Sequence, residues 1–433
     1  MKIWDEAQAM TKDMVAVRRD LHQYPEAAWT EFRTASLVIK KLQSLGYEVK
    51  FGSEVIDSKA MMGVPDKATL KKCMERAIKE GADPELVKKM TGGKTGVMGI
   101  MHFAKPGKVV GLRFDMDCIE VDEDPREKHR PTAEGFRSKH PNLMHACGHD
   151  GHTTIGLTVA KLVAEHQSEM AGTIKLFFQP GEEGVRGAKA MVASGIADDV
   201  DYLIGGHLGF GARKDNMLVC MTEGFLATSK IDAHFTGVSS HAGAAPEKGK
   251  NALLAAAEAS LALHTISRHS GGPSRINVGV LQAGTGRNVL PDVGMLKFET
   301  RGATSEINDY MVTEAKRMIK SAASMYDVKV KMEAVGGADS CNSSPGMGHE
   351  IYEIFKKNKL FGTVQETIHM GGSEDCSYFM KRVQDKGGEA VYMMYGTPIA
   401  AGHHNRSFDF NEDVLPKAAG ALTLLVSHFG NKK

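Results

Sequence analysis

Apolar strands that alternate with helical patterns, each ending in a polar cluster, constrain the fold of this chain more than any other feature of its sequence. Polar residues lie at or just after the end of each predicted strand. The strands and these residues are 110–116 with Asp115 and Asp117, 174–179 with Glu182 and Glu183, 202–204 with His207, and 390–395 with His403 and His404. Strands alternating with helices favour an α/β fold with a mostly parallel sheet, whose ligands gather beyond the carboxyl ends of the strands. We therefore expect these polar clusters to meet along one edge of the sheet.

The run His145-Ala-Cys-Gly-His-Asp-Gly-His152 is the densest group of potential metal ligands. Cys147 and His149 flank a glycine, so both side chains can turn toward one point. Thiolate and imidazole suit zinc, manganese or cobalt better than calcium or magnesium. The run alone supplies too few ligands for a closed site, so we expect the other strand ends to contribute. We assign His145, Asp150 and His152 to supporting and capping roles.

The strand-end residues complete a candidate metal site. Its members are Cys147, His149, Glu183, His207 and one of His403 and His404. Each has an ordinary explanation alone, because a buried cysteine is usually inert and a strand-end histidine usually caps a backbone group. Five such groups at strand ends are hard to explain by packing. Glu182 and Glu183 are adjacent on the turn predicted after the strand 174–179, so their side chains point in different directions. One carboxylate can bind metal while the other acts as a general base on water.

A second domain is predicted between about 224 and 338, where the order of elements becomes β-α-β-β-α-β, as in a ferredoxin-like module. Two domains are the default for 433 residues. We expect a catalytic domain made of 1–223 and 339–433, with an insertion near 52–95. His241 follows a strand of the module and could donate to a developing oxyanion, although spacing alone favours an ordinary loop histidine.

Composition excludes several other classes. Lys and Arg number 54 against 53 Asp and Glu, so net charge predicts no nucleic-acid or anionic-membrane partner. Six scattered cysteines without a C-x-x-C pair suit a reducing cytosol. Neither a signal-like N-terminus nor an apolar run of about 18 residues is present, so we expect a cytoplasmic protein without a transmembrane helix. The H-E-x-x-H and P-C-x-x-C motifs of other zinc hydrolases are absent.

Six motifs in a fixed order resemble one known family. They are Leu112-Arg-Phe-Asp-Met-Asp117, His145-Ala-Cys-Gly-His-Asp150, Phe178-Gln-Pro-Gly-Glu-Glu-Gly184, Ser240-His-Ala-Gly243, Asn288-Val-Leu-Pro291 and Gly372-Ser-Glu-Asp375. The chain resembles the dimetal amidohydrolases of the aminoacylase and carboxypeptidase-G type, and within them the branch of hippurate and auxin-conjugate hydrolases. The resemblance implies a dimetal peptidase domain with an inserted ferredoxin-like domain that serves as lid and dimerisation surface.

The resemblance also implies a role for each matching residue. Two divalent ions, Mn²⁺ or Zn²⁺, would be bound by Cys147, His149, Glu183, His207 and His404, with His403 as the alternative to His404. Glu182 would be the general base, while Asn288 and a partner chain's copy of His241 would stabilise the oxyanion. Arg301 would bind the α-carboxylate of the substrate, and we hypothesise that Arg287 reads a second carboxylate. Gly181 stands where an alanine is usual, and Cys376 where a phenylalanine is usual.

The expected reaction is hydrolysis of the amide bond of an N-acyl amino acid. An aroyl-glutamate such as p-aminobenzoyl-glutamate, a fragment of folate breakdown, is the substrate that the resemblance implies. One alternative is a broader aminoacylase acting on hippurate-like or indoleacetyl conjugates. Another is a metal-binding subunit that is active only with a homologous partner. The lid would join the chain either to a second copy or to a homologous subunit.

Overall fold

The computed structural model describes residues 2–432, which form two compact units. Unit 1 comprises the chain up to Glu223, Asn342–Met370 and the chain from Asp375 onward. Unit 2 comprises Gly224–Cys341 and Gly371–Glu374. The catalytic and lid roles predicted for these parts of the chain stay predictions.

The described residues contain twelve strands and thirteen α-helices. The strands are β1 Glu48–Phe51, β2 Val97–His102, β3 Lys105–Asp115, β4 Ala171–Gln179, β5 Tyr202–Leu208, β6 Met217–Glu223, β7 Ala227–Thr236, β8 Ser274–Ala283, β9 Val293–Gly302, β10 Lys329–Ala338, β11 Thr363–His369 and β12 Glu389–Tyr395. The helices are α1 Lys2–Ala9, α2 Thr11–Gln23, α3 Phe32–Ser44, α4 Lys67–Lys79, α5 Pro84–Lys89, α6 Arg130–Ala133, α7 His149–Glu165, α8 Ala188–Ala193, α9 Ala252–His264, α10 Ser305–Met325, α11 Pro345–Asn358, α12 Cys376–Asp385 and α13 Val414–Gly430.

Unit 1 is built on a mixed sheet with the strand order β1-β2-β4-β3-β5-β12-β6-β11. The run β4-β3-β5-β12 is parallel, as is the pair β6-β11. Antiparallel pairs join β1 to β2, β2 to β4 and β12 to β6. The carboxyl ends of the central parallel strands lie at one edge, as expected from the alternation of strands and helices.

Helix α7 lies directly on this sheet because small residues line its inner face. A Cβ atom on Gly156 would approach the ring of Phe114 to 2.7 Å, and one on Gly151 would approach Leu208 to 2.6 Å. Only glycine leaves room for such close packing. The N-terminus of α7, which carries the Cys147–His149 motif, is thereby fixed above the ends of β3 and β5.

The insertion predicted at 52–95 contains two capped helices of unit 1. The Asp66 side chain accepts hydrogen bonds from Ala68 N and Thr69 N at the start of α4. Asp83 caps α5 in the same way ahead of Pro84. Near the N-terminus, the helices α1 and α2 are separated at Met10.

Unit 2 has the predicted β-α-β-β-α-β order. Its four strands form an antiparallel sheet in the order β10-β7-β9-β8, with α9 and α10 packed on one face. This connectivity is typical of a ferredoxin-like module. Helix α10 is capped by Thr304, whose side chain accepts a hydrogen bond from Ile307 N.

Candidate metal centre

Cys147 and His149 are brought to one point by the backbone between them. Gly148 has a φ of 94°, in the left-handed region that favours glycine, and it precedes the first turn of α7. The Sγ atom of Cys147 lies 3.3 Å from Nε2 of His207, which comes from β5. Three potential ligands from two distant segments therefore meet, since the donor atoms of Cys147, His149 and His207 lie within 4.8 Å of one another.

Backbone carbonyls orient the two imidazoles of this group. The Nδ1 atom of His149 donates to Asp117 O at 2.9 Å, and Nδ1 of His207 donates to Leu208 O at 2.8 Å. When each ring is neutral, Nε2 is its acceptor, which is the arrangement that metal-ligating histidines use. The Nε2 atom of His149 is buried and has no hydrogen-bond partner in the described residues. Such a buried nitrogen without a partner is suited to a cation.

The two adjacent glutamates point in different directions from the turn after β4. Asp117 holds this turn, because its Oδ1 accepts from Glu182 N at 3.0 Å and its Oδ2 accepts from Glu183 N at 2.8 Å. The Oε1 atom of Glu183 lies 3.4 Å from Nε2 of His404, whereas Oε2 of Glu182 lies 3.8 Å from Nε2 of His149. Gly181, where an alanine was expected, has a φ of 62° that suits glycine.

The C-terminal loop places His404, rather than its neighbour, beside Glu183. The backbone N–H of His404 donates to Ala146 O at 2.8 Å, and its φ of 65° is unusual for a residue with a side chain. The ring of His403 lies near Phe408, with centroids 4.9 Å apart, and donates from Nε2 to Leu208 O at 3.1 Å. The geometry therefore favours His404 as the potential ligand.

These side chains fit a pair of divalent ions. Five groups of potential ligand atoms occur in the described residues, and two of them contain Cys147: Cys147 with His149 and His207, and Cys147 with Glu183 and His404. They share the cysteine, and each contains sulfur, imidazole or carboxylate donors that zinc and manganese accept. Besides His149 Nε2, the buried Oε1 atom of Glu183 has no hydrogen-bond partner in residues 2–432. Both atoms belong to the cluster that a cation would complete.

The remaining members of the motif support the cluster to different degrees. His152 donates from Nδ1 to Asp115 at 2.6 Å and accepts at Nε2 from Leu208 N at 3.0 Å, so both of its nitrogens are already used. His145 departs from the expected supporting role. Its two ring nitrogens are buried without hydrogen-bond partners in the described chain, and burial lowers its pKa to about 3. His145 is therefore neutral.

Burial dominates the electrostatics of the cluster. It raises the pKa of Cys147 well above the usual thiol range. It also lowers the pKa of His207, together with the charges of His152 and His403. Burial also lowers the pKa of His149, but the charge of Asp115 and the interactions with Asp117 and Cys147 together outweigh burial and raise that pKa. Because a metal ligand must be deprotonated, binding of a cation would require Cys147 and His149 to lose their protons, whereas the lowered pKa of His207 already leaves its ring neutral.

A buried ionic network behind the motif was missed in the sequence. Arg18 of α2 is fully buried and bonds to three carboxylates, Asp150 at 2.9 Å, Asp409 at 2.9 Å and Glu412 at 3.2 Å. It thereby ties the motif at the start of α7 to the segment after His404. A lone arginine on a helix gives no sequence signal of such a role, since most are solvated.

The other predicted site residues lie in unit 2. The backbone N–H of Ala242 donates to Asn288 O at 3.0 Å, so the segments of His241 and Asn288 are adjacent. The Nδ1 atom of His241 accepts from the N–H groups of Gly243 and Ala244, which leaves the proton of the neutral ring on Nε2. Arg301 of β9 bonds to Glu299 at 2.9 Å, and Arg287 is exposed. The roles of all four residues stay predictions.

Comparison with known proteins identifies the class to which this fold and site belong. The model of peptidase family M20/M25/M40 matches residues 111–428. The chain belongs to this family, and the resemblance to dimetal amidohydrolases is confirmed. Among residues 2–432, no helix is both long enough and apolar enough to cross a membrane.

Individual members of the family are similar to this chain over nearly its whole length. The chain is 46% identical to indole-3-acetyl-aspartic acid hydrolase of Enterobacter agglomerans, over 96% of each chain. It is also 46% identical to a p-aminobenzoyl-glutamate hydrolase subunit of Escherichia coli K12, over 95% of this chain and 94% of that one. A solved structure, the aminobenzoyl-glutamate utilization protein of Klebsiella pneumoniae, matches with a TM-score of 0.84 at 38% identity, covering 99% and 98% of the two chains.

Proposed function

We propose that this chain is a metal-dependent amidohydrolase that cleaves p-aminobenzoyl-glutamate to p-aminobenzoate and glutamate. The observation that carries the proposal is the convergence of two ligand groups on Cys147, with the carboxylate of Glu182 beside them. The names of the relatives, which act on acyl conjugates of aspartate and glutamate, support this substrate class. The free cysteines support a cytoplasmic location.

Two divalent ions, Mn²⁺ or Zn²⁺, would be held by Cys147, His149, Glu183, His207 and His404. When bound, they supply positive charge that polarises the amide carbonyl and lowers the pKa of a water molecule. Residues of the chain do the remaining work. Glu182, whose backbone is fixed by Asp117, takes a proton from the attacking water and returns it to the leaving amine.

Unit 2 supplies the groups that recognise the substrate in this proposal. The Nε2 proton of His241 and the side chain of Asn288 donate to the oxyanion that develops at the amide carbonyl. Arg301 binds the α-carboxylate. The sequence alone suggested Arg287 for a second carboxylate, but Arg287 does not line the cavity that contains Arg301. His241 would act in the site of a partner chain, so the proposal requires an assembly of at least two chains.

We propose that unit 2 is a lid that also mediates this assembly. Large exposed apolar side chains are concentrated there, including Leu261 at 70% exposure, Val293 at 61% and Leu281 at 47%. A concentration of exposed apolar surface is typical of a protein interface. The partner is a second copy or a homologous chain, and the name of the Escherichia coli relative, which calls it one subunit of a hydrolase, is compatible with either.

The test replaces the proposed base. Glu182→Gln should lower kcat for p-aminobenzoyl-glutamate by about 100- to 10,000-fold, because the amide cannot accept the proton. Elemental analysis should find the same metal content as in the wild type, since Glu182 is not a proposed ligand. Glu75→Gln, at an exposed site of the same unit, is the matched control. Turnover that survives in Glu182→Gln contradicts the mechanism.

A broader acylase is the second candidate, favoured by the equally similar indole-3-acetyl-aspartic acid hydrolase. Steady-state rates on p-aminobenzoyl-glutamate, indoleacetyl-aspartate and hippurate distinguish the two. Equal kcat/KM values on all three would favour the broad enzyme. Activity that requires a homologous chain, with none from the purified chain in added Mn²⁺ or Zn²⁺, would favour the alternative of a subunit that depends on its partner.

A further inference from the structure

A cavity of about 390 Å³ in unit 2 is lined by more positive than negative charge. Its charged and amide side chains come from Arg268, Arg275, Asn277, Glu299 and Arg301. Three guanidinium groups thus face one carboxylate, which leaves two positive charges uncompensated. Metal ligands of unit 1 contribute nothing to this cavity, so its ligand must be recognised by these residues themselves.

Strand pairing explains how the arginines come together. Strands β8 and β9 are antiparallel, and Arg275 lies directly opposite Arg301 in their register. The neighbouring Ile276 and Thr300 are buried on the side of the sheet that faces the helices. Because side chains alternate along a strand, Arg275 and Arg301 project together from the opposite face.

Stability alone does not explain this pair. Like charges directly opposite each other destabilise an antiparallel sheet. Glu299 compensates Arg301, with which it forms a hydrogen bond of 2.9 Å. Arg275 is exposed and makes no ion pair or side-chain hydrogen bond with any described residue. Its planar group of donors is therefore available for a ligand carboxylate, which it matches in a bidentate manner.

We propose that this cavity is a dicarboxylate site in which Arg275 binds the side-chain carboxylate of an acidic amino acid whose α-carboxylate is bound by Arg301. The proposal rests on the proposed function and deepens it, because it makes Arg275 the residue that selects conjugates of glutamate or aspartate over neutral ones. Arg287, the residue hypothesised from the sequence to have this role, does not line the cavity.

Two substrates that differ only in one charge test the selectivity. In the holoenzyme, Arg275→Gln should lower kcat/KM for benzoyl-glutamate by about 10- to 100-fold, the effect of losing a hydrogen bond to a charged group. The value for benzoyl-glutamine, which lacks the side-chain charge, should stay within about twofold. Arg317→Gln removes an exposed charge elsewhere in unit 2 and should alter neither value. Equal losses on both substrates, or none on either, overturn the proposal.

Binding without turnover separates this proposal from the proposed function. Glutarate has two carboxylates and no amide bond, and at matched ionic strength it should raise the Tm of the wild type but not that of Arg275→Gln. If the wild type cleaves neither substrate, the proposed function fails, and the glutarate shift still decides whether the site exists. A glutarate shift equal in wild type and variant overturns the assignment of Arg275.

Discussion

At the scale of residues, the candidate metal centre depends on two backbone conformations that side chains rarely adopt. Gly148 and His404 both have positive φ, at 94° and 65°. The first separates Cys147 from His149, and the second directs an imidazole toward Glu183. A non-glycine residue in this region costs roughly 1–2 kcal/mol, so His404 holds a strained conformation at a proposed functional position.

Gly148→Ala should lower both the stability and the metal content of the protein. An added Cβ would find its nearest neighbours at 3.8 Å, so the effect comes from the backbone rather than from a clash. The free energy of unfolding should fall by about 1–2 kcal/mol, and elemental analysis should find less metal because Cys147 and His149 no longer converge.

Gly46→Ala is the matched control for this change. Gly46 has a φ of 82°, no atom lies within 4 Å of its added Cβ, and it follows α3. The control should lose similar stability and keep its metal. A Gly148→Ala protein with full metal content would show that the turn is not needed for binding.

The sequence identified most residues of the cluster because their chemistry is unusual at strand ends. The structure brings together the donor atoms of Cys147, His149, Glu183 and His207, as predicted. The residue type could not decide whether His403 or His404 is the candidate ligand, since both carry an imidazole. The hydrogen bond from the backbone of His404 to Ala146 fixes the position of His404 in the structure. Arg18 escaped prediction because its three partners are distant in sequence.

At the scale of elements, α2 supports the motif from behind. Its Arg18 and His22 both contact Asp150, one residue after His149. The ring of His22 also bonds to Glu123 at 2.9 Å. Burial lowers the pKa of His22, but the bonds to Asp150 and Glu123 outweigh burial and raise it to about 9. His22 is therefore charged at neutral pH.

This raised pKa predicts a loss of stability in alkali. A group whose pKa is higher in the folded state stabilises fully below its unfolded value, about 6.5, and loses that effect as the pH rises through about 9. The contribution of His22 should fall by roughly 3 kcal/mol over this range. Urea unfolding at several pH values should show this fall in the wild type and not in His22→Gln.

The comparison needs a control for general alkaline effects. His102→Gln, at an exposed site on β2, should keep the wild-type pH dependence. If His22→Gln and the wild type lose stability in parallel between pH 6.5 and 9, the charged state assigned to His22 is wrong.

Elements with strong periodicity were predicted well, and edge elements were not. The β-α-β-β-α-β order of unit 2 was predicted correctly because its strands and helices, such as the 21-residue α10, carry clear local patterns. Strand β11, by contrast, has the sequence Thr-Val-Gln-Glu-Thr-Ile-His and lies at an edge of the sheet, where polar residues weaken the signal. Strand β1 also lies at an edge of the sheet and has only four residues, so its sequence pattern is too short to indicate a strand.

At the scale of the molecule, the exposed apolar residues of unit 2 predict association. Leu254 and Leu261 lie on α9, and Leu281 on β8 is opposite the buried Leu296, which places it on the helix side of the sheet. Strand β8 is also an edge of its sheet, with free backbone groups that favour pairing. Together these residues form an apolar surface on one side of unit 2.

Leu261→Glu should dissociate the assembly. We expect the purified wild-type chain to elute as a dimer in size-exclusion chromatography with light scattering and the variant as a monomer, because burying a carboxylate at an interface is costly. Ile78→Glu, at a 39% exposed site in unit 1, should leave the dimer intact. A variant that remains dimeric would exclude this surface as the contact.

The overall topology could be predicted only in part. The order of strands and helices along the chain predicted the α/β class of the fold and the ferredoxin-like module of unit 2, because that order follows from local sequence patterns. The order of strands in the large sheet depends on pairings between distant segments. Four of its seven strand pairs are parallel, in line with the expected mostly parallel sheet, but the antiparallel pairs β1-β2, β2-β4 and β12-β6 make it mixed, and local patterns did not indicate them.

The position of β12 between β5 and β6 also determines when the molecule can be completed during its synthesis. A ribosome makes β5 and β6 early and then the whole of unit 2 before it reaches β12. Until then the two earlier strands lack the neighbour that joins them, and His404 does not yet exist to complete the cluster. Binding of metal by the full proposed ligand set therefore requires that the chain has been synthesised beyond His404.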